Sequence, residues 1–174
     1  MKRRILETLI TGLFFVLQCT LFNAIALAGI RPNLMLFLTS AFGFMKGRKE
    51  GMYVGFFAGI LTDILFGNGL IGFYMLLYVW IGYGNGLFTR LFYPEDMKLP
   101  LILIAISDLL FNFASYVLTF LLRARLSLGY FSLHVILPEL LYTLLLSAVL
   151  YRPLQKLEVF LEVGEDSREE RENA

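Results

Sequence analysis

Six apolar runs follow one another along this chain of 174 residues, at 5–29, 32–45, 51–66, 70–92, 99–122 and 133–151. A helix needs about 20 apolar residues to cross a hydrocarbon core about 30 Å thick. Four of the runs reach that length. The second and third have about 14 and 16 residues, or roughly 21 and 24 Å of helix. A re-entrant hairpin is the rival reading of that pair. Its tip, "KGRKEG", would put Lys46, Arg48, Lys49 and Glu50 inside the bilayer, where each charge costs several kcal/mol. Two short crossings with local thinning cost less. The expected fold is therefore an all-α integral membrane protein with six transmembrane helices.

Composition supports the bilayer as solvent. The chain is 58% hydrophobic and 17% charged, whereas soluble domains average nearer half and a quarter. A net charge of +1 carries no message by itself, and since nucleic-acid binders are usually much more basic, no nucleic-acid partner is expected. The single cysteine, Cys19, excludes an internal disulfide and any cysteine-cluster metal site. Lys2-Arg3-Arg4 opens a run longer than the core of a cleavable signal, and further apolar runs follow it. It reads as a retained first span.

Six crossings put both termini on one side, and basic residues say which. With the N-terminus inside, Lys2, Arg3, Arg4, Lys46, Arg48, Lys49, Arg90, Lys98, Arg152, Lys156, Arg168 and Arg171 are cytoplasmic, against Arg31, Arg123 and Arg125 outside. Twelve against three puts both ends in the cytoplasm. The membrane domain is expected over 1–153. After Pro153, Leu154, Leu157 and Leu161 are spaced for a short amphipathic helix at the inner surface. The end of this 154–174 segment, "EVGEDSREERENA", is charge-rich and apolar-poor, and is expected to be disordered.

Helices in lipid gain little from packing Leu on Leu, so close association falls to small residues and buried polar groups. Gly51, Gly55 and Gly59 make a smooth stripe on the third span, and Gly82 with Gly86 repeats it on the fourth. Backbone-to-backbone packing is the expected role, against a helix of this chain or of a partner. Asp63 extends the first stripe by one turn. With Arg31, Asn33 and Glu139, and with Asn23 and His134 nearby, it falls at the outer end, as a polar recess or partner contact. Asp108 lies deeper, roughly 14 Å along the fifth span, with Asn112, Ser115 and Thr119 on its face. Glu139, Thr143 and Ser147 form a similar stripe on the sixth. Intramembrane acids are functional suspects by default. The plainer reading of Asp108, Asn112 and Thr143 is hydrogen bonding between helices.

No catalytic constellation emerges. One histidine cannot build a His-based metal site, the serines lack an adjacent base, and no phosphate-binding glycine loop occurs. Neither an enzyme activity nor a cofactor is expected.

Along nearly its whole length the chain resembles the bacterial rod-shape MreD family. The resemblance is carried by "RPN" before a Leu-rich helix (31–38), by "GFFAGILTDILFGNGLIG" (55–72), and by the length and the basic inner loops. The sixth span is similar in shape, with Thr143 where the family's pattern has Asn. The resemblance implies a non-enzymatic scaffold of the elongation (rod) complex in the bacterial inner membrane. It implies direct binding to MreC, and company with RodA, a class B penicillin-binding protein and MreB filaments. It also implies a fold similar to the vitamin-binding subunits of energy-coupling-factor transporters. Pairing of two copies stays open. Two other readings remain: a small-molecule (vitamin-like) binding subunit, with Ala24 and Ala28 as docking residues, and an ion-coupled transporter resting on Asp63, Asp108 and Glu139.

Overall fold

The computed structural model describes the backbone of residues 2–24, 32–66, 72–91, 97–123 and 136–172, and the side chains of 4–20, 32–65, 72–90, 97–117 and 136–160. Six α-helices occupy them: α1 (Lys2–Ala24), α2 (Leu34–Lys46), α3 (Arg48–Phe66), α4 (Phe73–Gly86), α5 (Lys98–Arg123) and α6 (Leu137–Glu172), with a 3-10 turn at Thr89–Leu91. One described segment, Lys98–Val117 in α5, is long and apolar enough by itself to cross a membrane; Leu34–Lys46 is apolar but shorter. α1 and α3 carry charge near their ends, Arg4 and Glu7 in α1 and Arg48, Lys49, Glu50 and Asp63 in α3, and α4 is uncharged but has only 14 residues.

The short helix α2 is the axis of the bundle. Every residue from Leu34 to Phe44 is buried, and α1, α3, α4, α5 and α6 all pack on it. A helix apolar on every face belongs in such a position. The other helices enclose α2. Gly47, at φ 99°, ends α2 in a backbone conformation that L side chains rarely adopt. There the chain turns at once into α3.

The expected breaks at the end of the fourth span and at Pro153 differ from what is found. α4 ends at Gly86 and the run continues only as the 3-10 turn. α6, by contrast, passes straight through Pro153 and continues to Glu172, over the stretch expected to be a separate surface helix and a disordered tail. Pro153 lacks an N–H and leaves one carbonyl a turn earlier without its helical donor. Buried packing on both sides of it keeps the helix in place: Tyr151 and Leu154 belong to the core, and Glu158 is buried beyond them.

Charge sorts to one end of the bundle. Lys46 Nζ lies 3.0 Å from Glu158 Oε2, and Arg4 Nη2 lies 2.7 Å from Glu50 Oε2. Arg4 also stacks on the Tyr53 ring, 4.3 Å from its centroid. Thr89 Oγ1 donates to the Gly43 carbonyl at 3.1 Å, and Arg152 Nε meets Met97 Sδ at 2.9 Å. These contacts bring the end of α2, the middle of α6 and the starts of α1, α3 and α5 to one level.

Candidate functional site

The glycine stripe of α3 faces α4 of the same chain. A Cβ on Gly55 would stand 2.5 Å from the Tyr78 carbonyl oxygen. Cβ atoms on Gly51, Gly59, Gly82 and Gly86 would run into backbone atoms of Gly82, Met75, Gly51 and Arg48 respectively. Gly43 of α2 joins the same seam, its Cβ position 2.7 Å from the Gly82 carbonyl oxygen. The two helices touch backbone to backbone, so these glycines are covered and offer no surface to another protein.

Asp63 is tied to the same pair of helices. It is 5% exposed, and its carboxylate accepts from the backbone N–H of Gly72 (3.0 Å), Tyr74 (3.1 Å) and Met75 (3.0 Å). The first N–H groups of a helix have no partner within it, and the N-cap of α4, Gly72 at φ 96°, has no side chain to supply one. Asp63 supplies it from the neighbouring helix, with a negative charge at the positive end of the α4 dipole. Its carboxylate is therefore directed at α4, not at the open outer recess expected from the sequence.

The start of α2 gathers residues from three other helices. Asn33 caps it, its Oδ1 accepting from Leu36 N–H at 3.0 Å and from the Tyr78 hydroxyl at 2.9 Å. The Asn33 N–H donates to Thr143 Oγ1 at 3.1 Å, and Met35 N–H donates to Gln18 Oε1 at 3.1 Å. Asn33 and Thr143, assigned from sequence to separate groups, are brought together here. A second polar contact joins α4 to α5, where Asn85 Nδ2 donates to Ser107 Oγ at 2.8 Å.

The expected stripe Asp108, Asn112, Thr143 does not form one network. Asn112 Nδ2 donates to the Asp108 carbonyl within its own helix at 3.1 Å, and Ser147 Oγ donates to the Thr143 carbonyl at 2.6 Å. Asp108 is 0% exposed, and neither of its carboxylate oxygens has a hydrogen-bond partner. Glu139, in the first turn of α6, interacts with it electrostatically. Arg31 and His134 lie outside the described residues, as do the side chains of Asn23 and Thr119.

Sequence reasoning missed Gln18, Tyr78, Asn85 and Ser107, as well as the Lys46–Glu158 pair. Gln18 and Tyr78 are single polar residues in apolar runs, and a polar group in such a run needs a partner. That signal marks the residues but does not say which helix provides the partner.

The outer faces of the helices are apolar. Ile5, Leu9, Leu13 and Val16 on α1, Leu76 and Trp80 on α4, Ile102, Ile106 and Phe113 on α5, and Leu141, Leu145 and Val149 on α6 are all exposed. An open surface hollow is lined by Gln155, Lys156, Val159 and Phe160 of α6, away from the buried acids. Among the described residues no three His, Cys, Asp or Glu side chains cluster as metal ligands. The arrangement offers inward polar contacts and outward apolar surface.

No curated protein and no solved structure matches the chain. Residues 2–160 of its 174 match the family model for rod shape-determining protein MreD. The chain therefore belongs to the MreD family, membrane proteins with a role in determining rod shape.

Proposed function

We propose that the chain is a non-enzymatic membrane scaffold of the rod complex, which binds MreC directly and helps control lateral peptidoglycan synthesis. In this reading it crosses the bacterial inner membrane six times with both termini in the cytoplasm. RodA, a class B penicillin-binding protein and MreB work in the same assembly. The fold likeness to vitamin-binding subunits belongs to the same proposal.

The observation that carries this reading is the division between inside and outside. Asp63, Tyr78 and Asn85 in the bundle interior are directed at other side chains or at backbone, while the outward faces are apolar helix ridges. A protein built this way meets its partners through side chains that otherwise touch lipid, where packing and shape govern association. The cluster of Arg4, Lys46, Arg48, Lys49, Arg90, Lys98, Arg152 and Lys156 around one end supports a cytoplasmic location for that end.

The test is photo-crosslinking in living cells, with a crosslinker at Leu9, Leu76, Ile106 or Leu145, one for each outward face. A crosslink to MreC from one face and not the others is the expected result. Normal expression with no MreC adduct from any face would remove direct binding from the proposal. Loss of rod shape on depletion, restored by the wild-type chain, tests the cellular role separately.

A further inference from the structure

Several cations at the basic end of the bundle are answered within the chain. Arg4 pairs with Glu50 and stacks on Tyr53, Lys46 pairs with Glu158, and Arg48 lies over the Tyr83 ring, 5.8 Å from its centroid. Arg152 and Lys156 of α6 are treated differently. Both are exposed, and among the described residues neither has a carboxylate partner. The nearest acid in sequence, Glu158, is committed to Lys46. Arg152 is nevertheless held in place, because its Nε donates to Met97 Sδ at 2.9 Å, just before α5 begins. Its two Nη groups have no partner among the described residues.

Leu141, Leu145, Val149, Arg152 and Lys156 follow one another at steps of four, four, three and four, which keeps them on one face of a helix. Leu141, Leu145 and Val149 are each more than half exposed on it. α6 runs on through Pro153, so the apolar ridge leads directly to the basic pair. Arg152 and Lys156 stand about 22 and 28 Å along the helix from Leu137. That is close to the inner boundary of a hydrocarbon core about 30 Å thick. Beside Lys156, the open hollow formed with Gln155, Val159 and Phe160 adds further apolar surface, with Val159 and Phe160 both exposed.

An unanswered positive pair at the end of an apolar ridge matches a molecule with the same two parts. A soluble anion would meet only the charges, and a neutral acyl chain only the ridge. A guanidinium binds phosphate oxygens through two parallel N–H bonds, and an ammonium adds a point charge. We propose that Arg152 and Lys156 form a binding site for the phosphate of an anionic phospholipid of the inner leaflet, whose acyl chain lies along Leu145 and Val149. This rests on the reading that α6 crosses the bilayer with its C-terminal end in the cytoplasm, where juxtamembrane basic residues draw anionic lipid.

The experiment measures lipid selectivity at this face for the full-length chain in nanodiscs. Trp80, the single tryptophan, is replaced by Phe, and Val149→Trp supplies a reporter about one turn before Arg152. Quenching by brominated phosphatidylglycerol is compared with quenching by brominated phosphatidylcholine at equal mole fraction. One basic residue near the surface favours an anionic lipid roughly fivefold, so the pair should prefer phosphatidylglycerol by about fivefold or more. Arg152→Gln with Lys156→Gln should remove the preference. Lys49→Gln, which deletes an exposed cation of α3 at the same end, should leave it.

Equal quenching by the two lipids overturns the site. So does a preference that survives the double variant, or one that Lys49→Gln abolishes as fully, which would make it a property of the whole basic end. Inorganic phosphate and soluble polyglutamate, at matched ionic strength, should leave the preference intact. Loss to either would assign the pair to a soluble anion and remove the lipid. Should Val149→Trp not fold, native mass spectrometry of the wild type and the double variant counts the phosphatidylglycerol each retains, and equal retention refutes the site. Cysteine accessibility across sealed vesicles tests the crossing of α6 independently. Absence of a preference in a chain whose C-terminal end labels from the cytoplasmic side therefore counts against the lipid site alone.

Discussion

Lys46, the last residue of α2, and Glu158, about six turns into α6, form an ion pair of 3.0 Å in which both side chains are only 8% exposed. Removing one member of a buried pair strands the other charge at a cost of about 3 kcal/mol, whereas replacing both with apolar residues is often neutral. Glu158→Ala should therefore lower the melting midpoint much more than the double change Lys46→Met with Glu158→Leu. Unfolding of the wild type and the two variants in one detergent checks this. Equal losses in the single and the double variant would show that the charge pairing is not what fixes the end of α6.

The seam between α3 and α4 makes a sharper prediction because it contains its own control. Gly82→Ala places a methyl group against the Gly51 backbone. The helices must separate, at a cost of about 2 kcal/mol or more. Gly84→Ala, two residues away with nothing within 4 Å of the added carbon, should be neutral or stabilise by up to about 1 kcal/mol. Melting midpoints of the two variants should move apart.

At Asp63 the side-chain series is informative. Asp63→Ala leaves the N–H groups of Gly72, Tyr74 and Met75 without their acceptor and should cost about 2–4 kcal/mol. Asp63→Asn retains one carbonyl oxygen and should lose roughly half as much. Hydrogen exchange at the Tyr74 and Met75 amides should accelerate in the same order. Fast exchange already in the wild type would mean that the cap does not form in solution.

Thr143→Val removes the acceptor of the Asn33 N–H while keeping the shape of the side chain. The expected loss is about 1–2 kcal/mol, and Thr143→Ser should recover most of it. Paired melting curves distinguish a lost hydrogen bond from a lost methyl contact.

How far the sequence could be read follows from the range of each signal. Six apolar runs correspond to six helices, because run length is a feature of one segment. The glycines at four-residue spacing announced a close helix contact. Whether α4 or a partner lay across it depended on an arrangement that no local pattern contains. Asp63 illustrates the same boundary. Its place in an apolar run marked it as important, but its partners are main-chain N–H groups, which every residue except proline possesses and which no residue type advertises. Pro153 misled for the opposite reason. It is a strong local signal for a helix end, and the burial of Tyr151, Leu154 and Glu158 around it outweighs that preference.

The enclosure of α2 bears on how such a chain is made. A segment wrapped by its neighbours has no need to match the thickness of the bilayer, which is why 13 residues suffice for it. Yet it is synthesised second, when α1 alone of the helices that will wrap it exists. Its Asn33 amide waits for Thr143, 110 residues downstream. Until α6 leaves the ribosome, then, the centre of the finished bundle must be sheltered by lipid or by the insertion machinery, and the last helix to arrive is the one that seals the second.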